Sequence, residues 1–400
     1  MLRTKPPTLD IKISPRAAAR LNRGHVWVYR SDITSIDAVP PGSVVAISAP
    51  RGNMLGTALY SDSSQIALRL ISREPVRDFP ALLRQRVADA IAYRQHVVRD
   101  SNAYRVIFSE ADLLPGLIVD RYNDILSMQI LNQAFDRADM RETVVSELKD
   151  RMQPISIAER VEPRIRDLEN LPQRISGLVL GDRASTVFTM NGVRFHFDAL
   201  AGQKTGAFLD QRENYAAAAE YAHGEALDVF CYHGGFALHI APHCSQTTGV
   251  DSSRPGLEVA ERNATANREH LAGQEIEWIE ANAFDLLKDY AASGRQYDTI
   301  VLDPPAFAKS KRELAAAMRG YKELNLRALK MLRPGGVLVT CSCSYHVSQF
   351  EFLEMLGSAA LDARRTLRLA EVRGQAKDHP ILLNVPETYY LKCVIAIVSN

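Results

Sequence analysis

From about residue 200 onward, apolar runs of strand length alternate with helix-length stretches, and this regular alternation leaves few folds open to the chain. The strands read ALDVF, TTGVD, IEWIEA, DTIVLD and GVLVTC. The helices read over Phe236 to His243, Pro255 to His270, Ala283 to Ala292, Glu313 to Leu332 and Gln349 to Ala363. Mostly apolar strands separated by helices require a parallel sheet covered on both faces, a doubly wound α/β domain. Ser253 followed by Pro255 supplies the N-cap and early-turn pair of the second helix. After the last helix come TLRLAEV and TYYLKCVIAIVS with no helix between them, so an antiparallel pair is expected to close the sheet.

The preceding half of the chain has a different rhythm. Residues 1–75 carry the short strands VWVY, SVVAIS, LGTALY and IALRLI, separated by PPG, RGN and SDSS, which suggests a small barrel-like β module. Residues 76–195 mix a helix over Phe79 to Val98, strands YRVIF and GLIVDRY, a helix over Arg137 to Arg151 and strands near Gly177 to Phe197, an α+β domain. Residues 196–400 form the third division. A chain of 400 residues is longer than one core usually serves, in keeping with several domains.

Charge and cysteine content narrow the setting. Over residues 1–75, ten Lys and Arg face five acids, giving +5, whereas the whole chain sums to +1 and the other 325 residues therefore to −4. A basic N-terminal module suits a polyanionic partner. Five cysteines are too few, and odd in number, for a disulfide framework. There is no N-terminal apolar segment of signal type, and no run approaches the roughly 18 residues of a membrane span. A cytoplasmic protein with reduced thiols and no membrane partner is expected.

In an open parallel sheet, ligands gather at the carboxyl ends of the strands. The first strand ends in Asp228 and turns through Gly234-Gly235; the second ends in Asp251, 23 positions later, suited to the two hydroxyls of a ribose; the third ends near Asn282, whose amide can pair with an adenine edge. Tyr232 and His233 occupy the turn where a dinucleotide fingerprint needs glycine, and GQKTG at 202–206 lacks the glycine of a phosphate loop. A cofactor with adenosine but no phosphate fits, and S-adenosylmethionine is the common one. The fourth strand ends in Asp303-Pro304-Pro305, where two prolines fix the backbone and remove two donors. The fifth runs into VTCSCSYH, which puts Cys341 toward the core and Cys343 nearest the ligand edge. Cys341, Cys343 and His346 are too few for a structural zinc, so no metal is expected.

With these motifs placed, the chain resembles the bacterial large-subunit (23S) ribosomal RNA cytosine 5-methyltransferases. These combine a β-barrel PUA domain, a small α+β central domain and a Rossmann-like class I S-adenosylmethionine methyltransferase domain. The likeness runs through RLNRGHVWVYRSDI, PPGSVVAIS and GTALYSDSSQIALRLIS, then SEADLLPGLIVDRYND, QKTGAFLDQREN, LDPPAF and SCS. It implies S-adenosylmethionine contacts at Gln203, Lys204, Thr205, Asp210, Arg212, Asp228, Phe230, Gly234, Asp251, Asn282, Ala283, Asp303 and Pro304. RNA contacts are expected from Arg20, Arg23, Trp27 and Arg30. Tyr232 stands where relatives often have glycine, and Asn282 where they commonly have Asp.

The implied chemistry starts from the weak nucleophilicity of cytosine carbon 5, which an addition to carbon 6 relieves. Cys343 is the implied nucleophile, since Pro305 occupies the place where some RNA methyltransferases carry a cysteine, and Asp303 the implied partner of the base edge. An ordinary thiol, with a pKa of about 8.5, is mostly protonated at neutral pH and needs activation. Methylation of a base nitrogen without an adduct, and RNA binding by a relic fold without catalysis, stay open on the residues alone. RNA, 23S ribosomal RNA in particular, is the implied partner, with a homodimer left open.

Overall fold

The computed structural model describes residues 9–36, 38–201, 206–308 and 310–399. Its packing divides the chain into two compact units. The first holds the described residues up to Thr186, Phe197–Gly206 and Lys377–Thr388, and the second Val187–His196, Ala207–Ala376 and the chain from Tyr389 onward.

The first unit begins with a six-stranded sheet of β1 (Asp10–Ile13), β2 (Trp27–Tyr29), β3 (Ile33–Ile36), β4 (Val44–Ser48), β5 (Met54–Tyr60) and β6 (Ile66–Ser72) in the order β2-β6-β5-β4-β1-β3. Helix α1 (Pro15–Asn22) joins β1 to β2, capped by the Ser14 hydroxyl, which accepts from the Ala17 N–H. The sequence reading misses β1, β3 and α1. The two strands are four residues each, too short to show alternation, yet Ser14-Pro15 ahead of an alanine run is a helix-start signal that was there to read.

A five-stranded sheet follows, from β7 (Ala103–Phe108), β8 (Leu117–Tyr122), β9 (Ile125–Ile130), β10 (Ser156–Glu159) and β11 (Gly177–Leu180) in the order β11-β10-β9-β8-β7. Helices α2 (Phe79–Val97), α3 (Gln133–Asp136), α4 (Ala138–Met152) and α5 (Pro163–Leu168) accompany it. One apolar cluster joins Leu59 and Ile71 of the first sheet to Leu83, Val119, Met128, Phe135 and Leu148. Buried polar links add to it: Arg69 reaches Glu169 at 3.0 Å, and Trp27 Nε1 donates to Glu110 at 3.0 Å. The stretch Lys377–Thr388 also belongs to this unit, with Val385 in the core of the first sheet.

A hairpin of β12 (Ser185–Met190) and β13 (Val193–Asp198) turns through Asn191-Gly192, both at positive φ, as a two-residue hairpin turn requires. Then comes the parallel sheet that the alternation predicts: β14 (Gly224–Val229), β15 (Cys244–Asp251), β16 (Ile276–Glu280), β17 (Tyr297–Leu302) and β18 (Leu332–Ser342), joined by β19 (Thr366–Arg373) and β20 (Lys392–Ser399). The order is β16-β15-β14-β17-β18-β20-β19, so β20 inserts between β18 and β19 and runs antiparallel to both. Helices α6 (Arg212–Tyr221), α7 (Gly235–Ile240), α8 (Arg254–Ala266), α9 (Ala283–Ala292), α10 (Leu314–Met331) and α11 (Gln349–Ala363) cover it. The Ser253 hydroxyl accepts from Gly256 N–H at 3.2 Å, the N-cap expected of it. Among the described residues no helix is long and apolar enough to cross a membrane.

Candidate active site

The carboxyl ends of β14 to β18 bring the strand-end residues to one edge of the second unit. Asp228 is completely buried; Oδ2 accepts from the Ala237 N–H at 2.8 Å, and Oδ1 has no hydrogen-bond partner. Burial pushes its carboxyl up to about 8, against the Ala237 hydrogen bond, and the charges of Asp303 and Asp251 add to the rise. A cation beside it restores the carboxylate.

The turn after β14 is built from unusual backbone. Phe230 and Tyr232 have φ of 69° and 47°, and Gly234 has 80°. Tyr232 stands where a glycine would be cheaper; its N–H donates to Asp251 Oδ2 at 2.9 Å, its ring stacks on His233 at 3.7 Å, and Phe208 meets it edge-on at 5.3 Å. Gly234 admits no side chain, since a Cβ there would lie 2.8 Å from the Trp278 ring. Asp251 also accepts from Ser253 N–H through Oδ1 at 2.8 Å, so each of its oxygens commits one lone pair to backbone and keeps further acceptor capacity.

Asn282 is exposed, and its side-chain oxygen caps α9, accepting from Phe284 N–H at 2.9 Å and Asp285 N–H at 3.3 Å. The acceptor expected to face an adenine is therefore engaged in the cap, and Ala283 beside it is buried. Replacing Asn282 by alanine should cost about 1 kcal/mol of stability, while Asn282→Asp, with an acceptor and a favourable charge at the helix start, should cost nothing. Urea unfolding monitored by circular dichroism checks both.

Asp303 lies partly buried at the end of β17, and its Oδ1 accepts from Gln211 Nε2 at 2.9 Å. Gln211 Oε1 in turn accepts from Asn214 at 2.6 Å, and Asn214 Oδ1 accepts from Arg373 Nε at 3.0 Å. This chain of buried amides fixes the carboxylate; the sequence reading has Gln211 and Asn214 only within the Gln203–Asn214 stretch that borders the cofactor, with no role toward Asp303. Asp210 accepts from Tyr390 Oη at 2.6 Å, Arg212 is buried next to Glu213, and Gln203, Lys204 and Thr205 lie outside the described residues.

The two thiols separate as their positions predict. Cys341 is sealed in β18 opposite Cys393, and burial pushes its thiol well up, with Cys393 adding to the effect. Strand β18 ends at Ser342, so Cys343 steps out of the sheet, half-buried, with Sγ 3.8 Å from the Pro304 carbonyl oxygen. Pro304 is buried and Pro305 exposed, which places the sulfur against the rigid Asp-Pro-Pro turn.

In the first unit, Arg23 is exposed. Arg20 donates to the Trp27 carbonyl at 3.0 Å and to Asp32 at 3.1 Å, and Arg30 to the carbonyls of Ser61 and Ser64, each at 2.9 Å. Arg20, Trp27 and Arg30 are partly exposed and also hold the fold.

Residues 11–73 match the family model of a PUA-like domain, and residues 173–371 that of an S-adenosylmethionine-dependent methyltransferase. A protein of Shewanella amazonensis named ribosomal RNA large subunit methyltransferase I is 37% identical over 400 residues, covering 97% of this chain and 99% of the relative. The chain belongs to the ribosomal RNA large subunit methyltransferase I family. Family members of the same name from Shewanella denitrificans and Vibrio cholerae are 37% and 36% identical, over 97% and 93% of this chain and 99% and 95% of theirs. The family's fold is also that of SMU.776 in complex with SAH (TM-score 0.82, 19% identity, 98% of this chain and 100% of that one). A protein of Streptococcus mutans described as a SAM-dependent methyltransferase shares it as well (TM-score 0.81, 19% identity, the same coverage).

The cofactor of this family is S-adenosylmethionine. The residues present fit it: a buried Asp228 with one unpartnered oxygen awaits a cation, Asp251 offers two acceptors, and the turn between them presents backbone.

Proposed function

We propose that this chain methylates carbon 5 of a cytosine in large-subunit ribosomal RNA, with Cys343 as a covalent nucleophile and Asp303 as the residue that holds the base edge. The ribosomal substrate comes from the name its relatives carry. The observation that supports the cytosine reading is the 3.8 Å contact between Cys343 Sγ and the Pro304 carbonyl, which sets a half-buried sulfur against the Asp-Pro-Pro turn that Asp303 opens. A nitrogen methyltransferase would have no use for a thiol there.

The residues divide the work as follows. Cys343 adds as thiolate to carbon 6; the new S–C bond displaces the ring π pair toward carbon 5, with charge spreading to the ring nitrogen. Asp303, kept in orientation by Gln211, acts as the protonated acid: its carboxyl proton hydrogen-bonds the ring nitrogen where that charge develops, and its other oxygen accepts from the exocyclic amino group. Asp228, Phe230, Gly234, Asp251, Ala283 and Pro304, with the segment from Gln203 to Arg212, would hold S-adenosylmethionine, which would supply an electrophilic methyl group to carbon 5 and leave as its demethylated thioether. A base then takes the proton from carbon 5, the double bond re-forms and the Cys343 thiolate departs.

Arg20, Arg23, Trp27 and Arg30 are assigned to RNA within the module of residues 1–75, followed by the 76–195 and 196–400 divisions, and the site of action is the cytoplasm. Nuclease digestion and mass mapping of ribosomal RNA methylated by the purified protein test the reading. A methyl on cytosine carbon 5 is expected; a methyl on a base nitrogen overturns it.

A further inference from the structure

One charged side chain beside the thiol has no task in the chemistry above. Lys392 opens β20, and its backbone pairs in register with Ser342, the last residue of β18. It is 2% exposed, rare for a residue whose charged head normally reaches water. Nζ donates to the carbonyl of Ser344 at 2.7 Å and to that of Tyr390 at 2.8 Å. Ser344 directly follows Cys343, so the ammonium is fixed against the backbone that carries the thiol. That backbone is pinned from the other side too: Ser344 Oγ accepts from Ala308 N–H at 3.1 Å and shares a hydrogen bond with Tyr321 Oη at 2.9 Å.

We propose that Lys392 is a positioning residue for Cys343: its buried ammonium holds the Cys343-Ser344 backbone in place and stabilises the sulfur in its thiolate form. The proposal rests on the reading of Cys343 as nucleophile and supplies the activation that an ordinary thiol needs.

A buried ammonium is costly unless an anion or several acceptors face it. Two carbonyls face this one, and the charged groups around it are Cys343 from the loop after β18 and Glu351 from α11. Burial lowers the ammonium to about 8, while charge on Cys343 and then on Glu351 acts to raise it. Around the sulfur stand Tyr321 from α10 and the loop after β17, which carries Asp303 next to the Pro304 carbonyl. Burial raises the Tyr321 hydroxyl above its ordinary range, so it faces the sulfur as a neutral group. Hydrogen bonds from Ser348 hold Glu351 below the usual carboxylate range, which makes it a standing competitor for the ammonium. Below about pH 8 the lysine is charged and favours the thiolate; above it the proton leaves and the attraction goes with it. Lysine and thiol titrate as a pair, so a measured midpoint belongs to both.

The test is the pH dependence of Cys343 alkylation by iodoacetamide in the full chain, read by mass spectrometry of the Cys343 peptide. In Lys392→Met, which keeps the stem and removes the charge, the midpoint should move up by about one pH unit and alkylation at pH 7 should slow about tenfold. Lys392→Arg should restore most of the rate. An unmoved midpoint in folded Lys392→Met protein overturns the proposal. If that variant does not fold, the coupling is read in reverse by ¹³C NMR of labelled lysine: the Lys392 midpoint should fall in Cys343→Ala, and an unchanged one is equally fatal. Methylation by Cys343→Ala decides the other question. Retained activity removes the nucleophile but leaves the alkylation result standing, whereas an inactive Cys343→Ala with an unmoved alkylation midpoint removes only the role of Lys392.

Discussion

Cys343→Ala should bring methyl transfer down by a factor on the order of 10⁶, the scale seen when a covalent nucleophile is deleted from a hydrolase. The size follows from the chemistry assigned to the residue. Without addition at carbon 6, carbon 5 has too little electron density to take a methyl group, and neither positioning of the base nor bound cofactor replaces that bond. The loss should be confined to the chemical step. Cys343 is not among the residues assigned to S-adenosylmethionine, and its one contact with that set, at the Pro304 carbonyl, is to backbone, so calorimetric affinity for the cofactor should change little. Cys341→Ala is the control, because that thiol is sealed opposite Cys393 and burial pushes it away from ionisation. Its effect should appear in stability, with turnover kept. An RNA carrying 5-fluorocytidine, whose fluorine cannot leave as a proton does, should accumulate as an adduct on the parent protein and not on Cys343→Ala. Full turnover by Cys343→Ala would sink the mechanism, and the methyl group would then have to be sought on a nitrogen.

Much of this site was legible because a parallel sheet obeys a positional rule. Once β14 to β18 are placed, Asp228, Asp251, Asp303 and Cys343 fall at strand ends without further information; Cys343 shares a face with Cys341 and differs from it by lying further toward the ligand end. What the sequence hides is the use each side chain makes of its neighbours. Gln211 lies 92 residues from the Asp303 it orients, and no local pattern links them. Lys392 is one residue within the strand TYYLKCVIAIVS, and only the place of β20 between β18 and β19 shows that it is buried. Asn282 was read for its amide chemistry, although an Asn directly before a helix is first a cap. The same limit explains Lys377–Thr388: nothing in its composition says that a stretch between β19 and β20 packs with the first unit.

That returning stretch is the subject of the second large effect, Asp112→Ala. Arg94, in α2, is completely buried, and its guanidinium donates to both oxygens of Asp112, at 2.5 and 2.8 Å, to the Arg105 carbonyl at 2.9 Å and to the Asp378 carbonyl at 2.9 Å. Asp378 completes the arrangement by accepting from the Arg105 N–H through Oδ2 at 2.8 Å. One cation thus joins α2, β7 and the Lys377–Thr388 stretch. Removing Asp112 leaves that cation buried with carbonyls alone, which costs about 3–5 kcal/mol when one partner of a buried pair is deleted. Asp112→Asn keeps an acceptor in place and should cost less, so the order Ala worse than Asn separates charge from hydrogen bonding. Trp27 and Trp278, the two tryptophans of the chain, lie one in each unit, so a Trp278→Phe background makes fluorescence a reporter of the first unit alone. Urea unfolding followed at Trp27 should show the midpoint fall sharply in Asp112→Ala. A loss below about 1 kcal/mol, the scale of an exposed ion pair, would mean that water reaches Arg94 and that the stretch is held by its apolar contacts, Val385 foremost, and not by the buried charge.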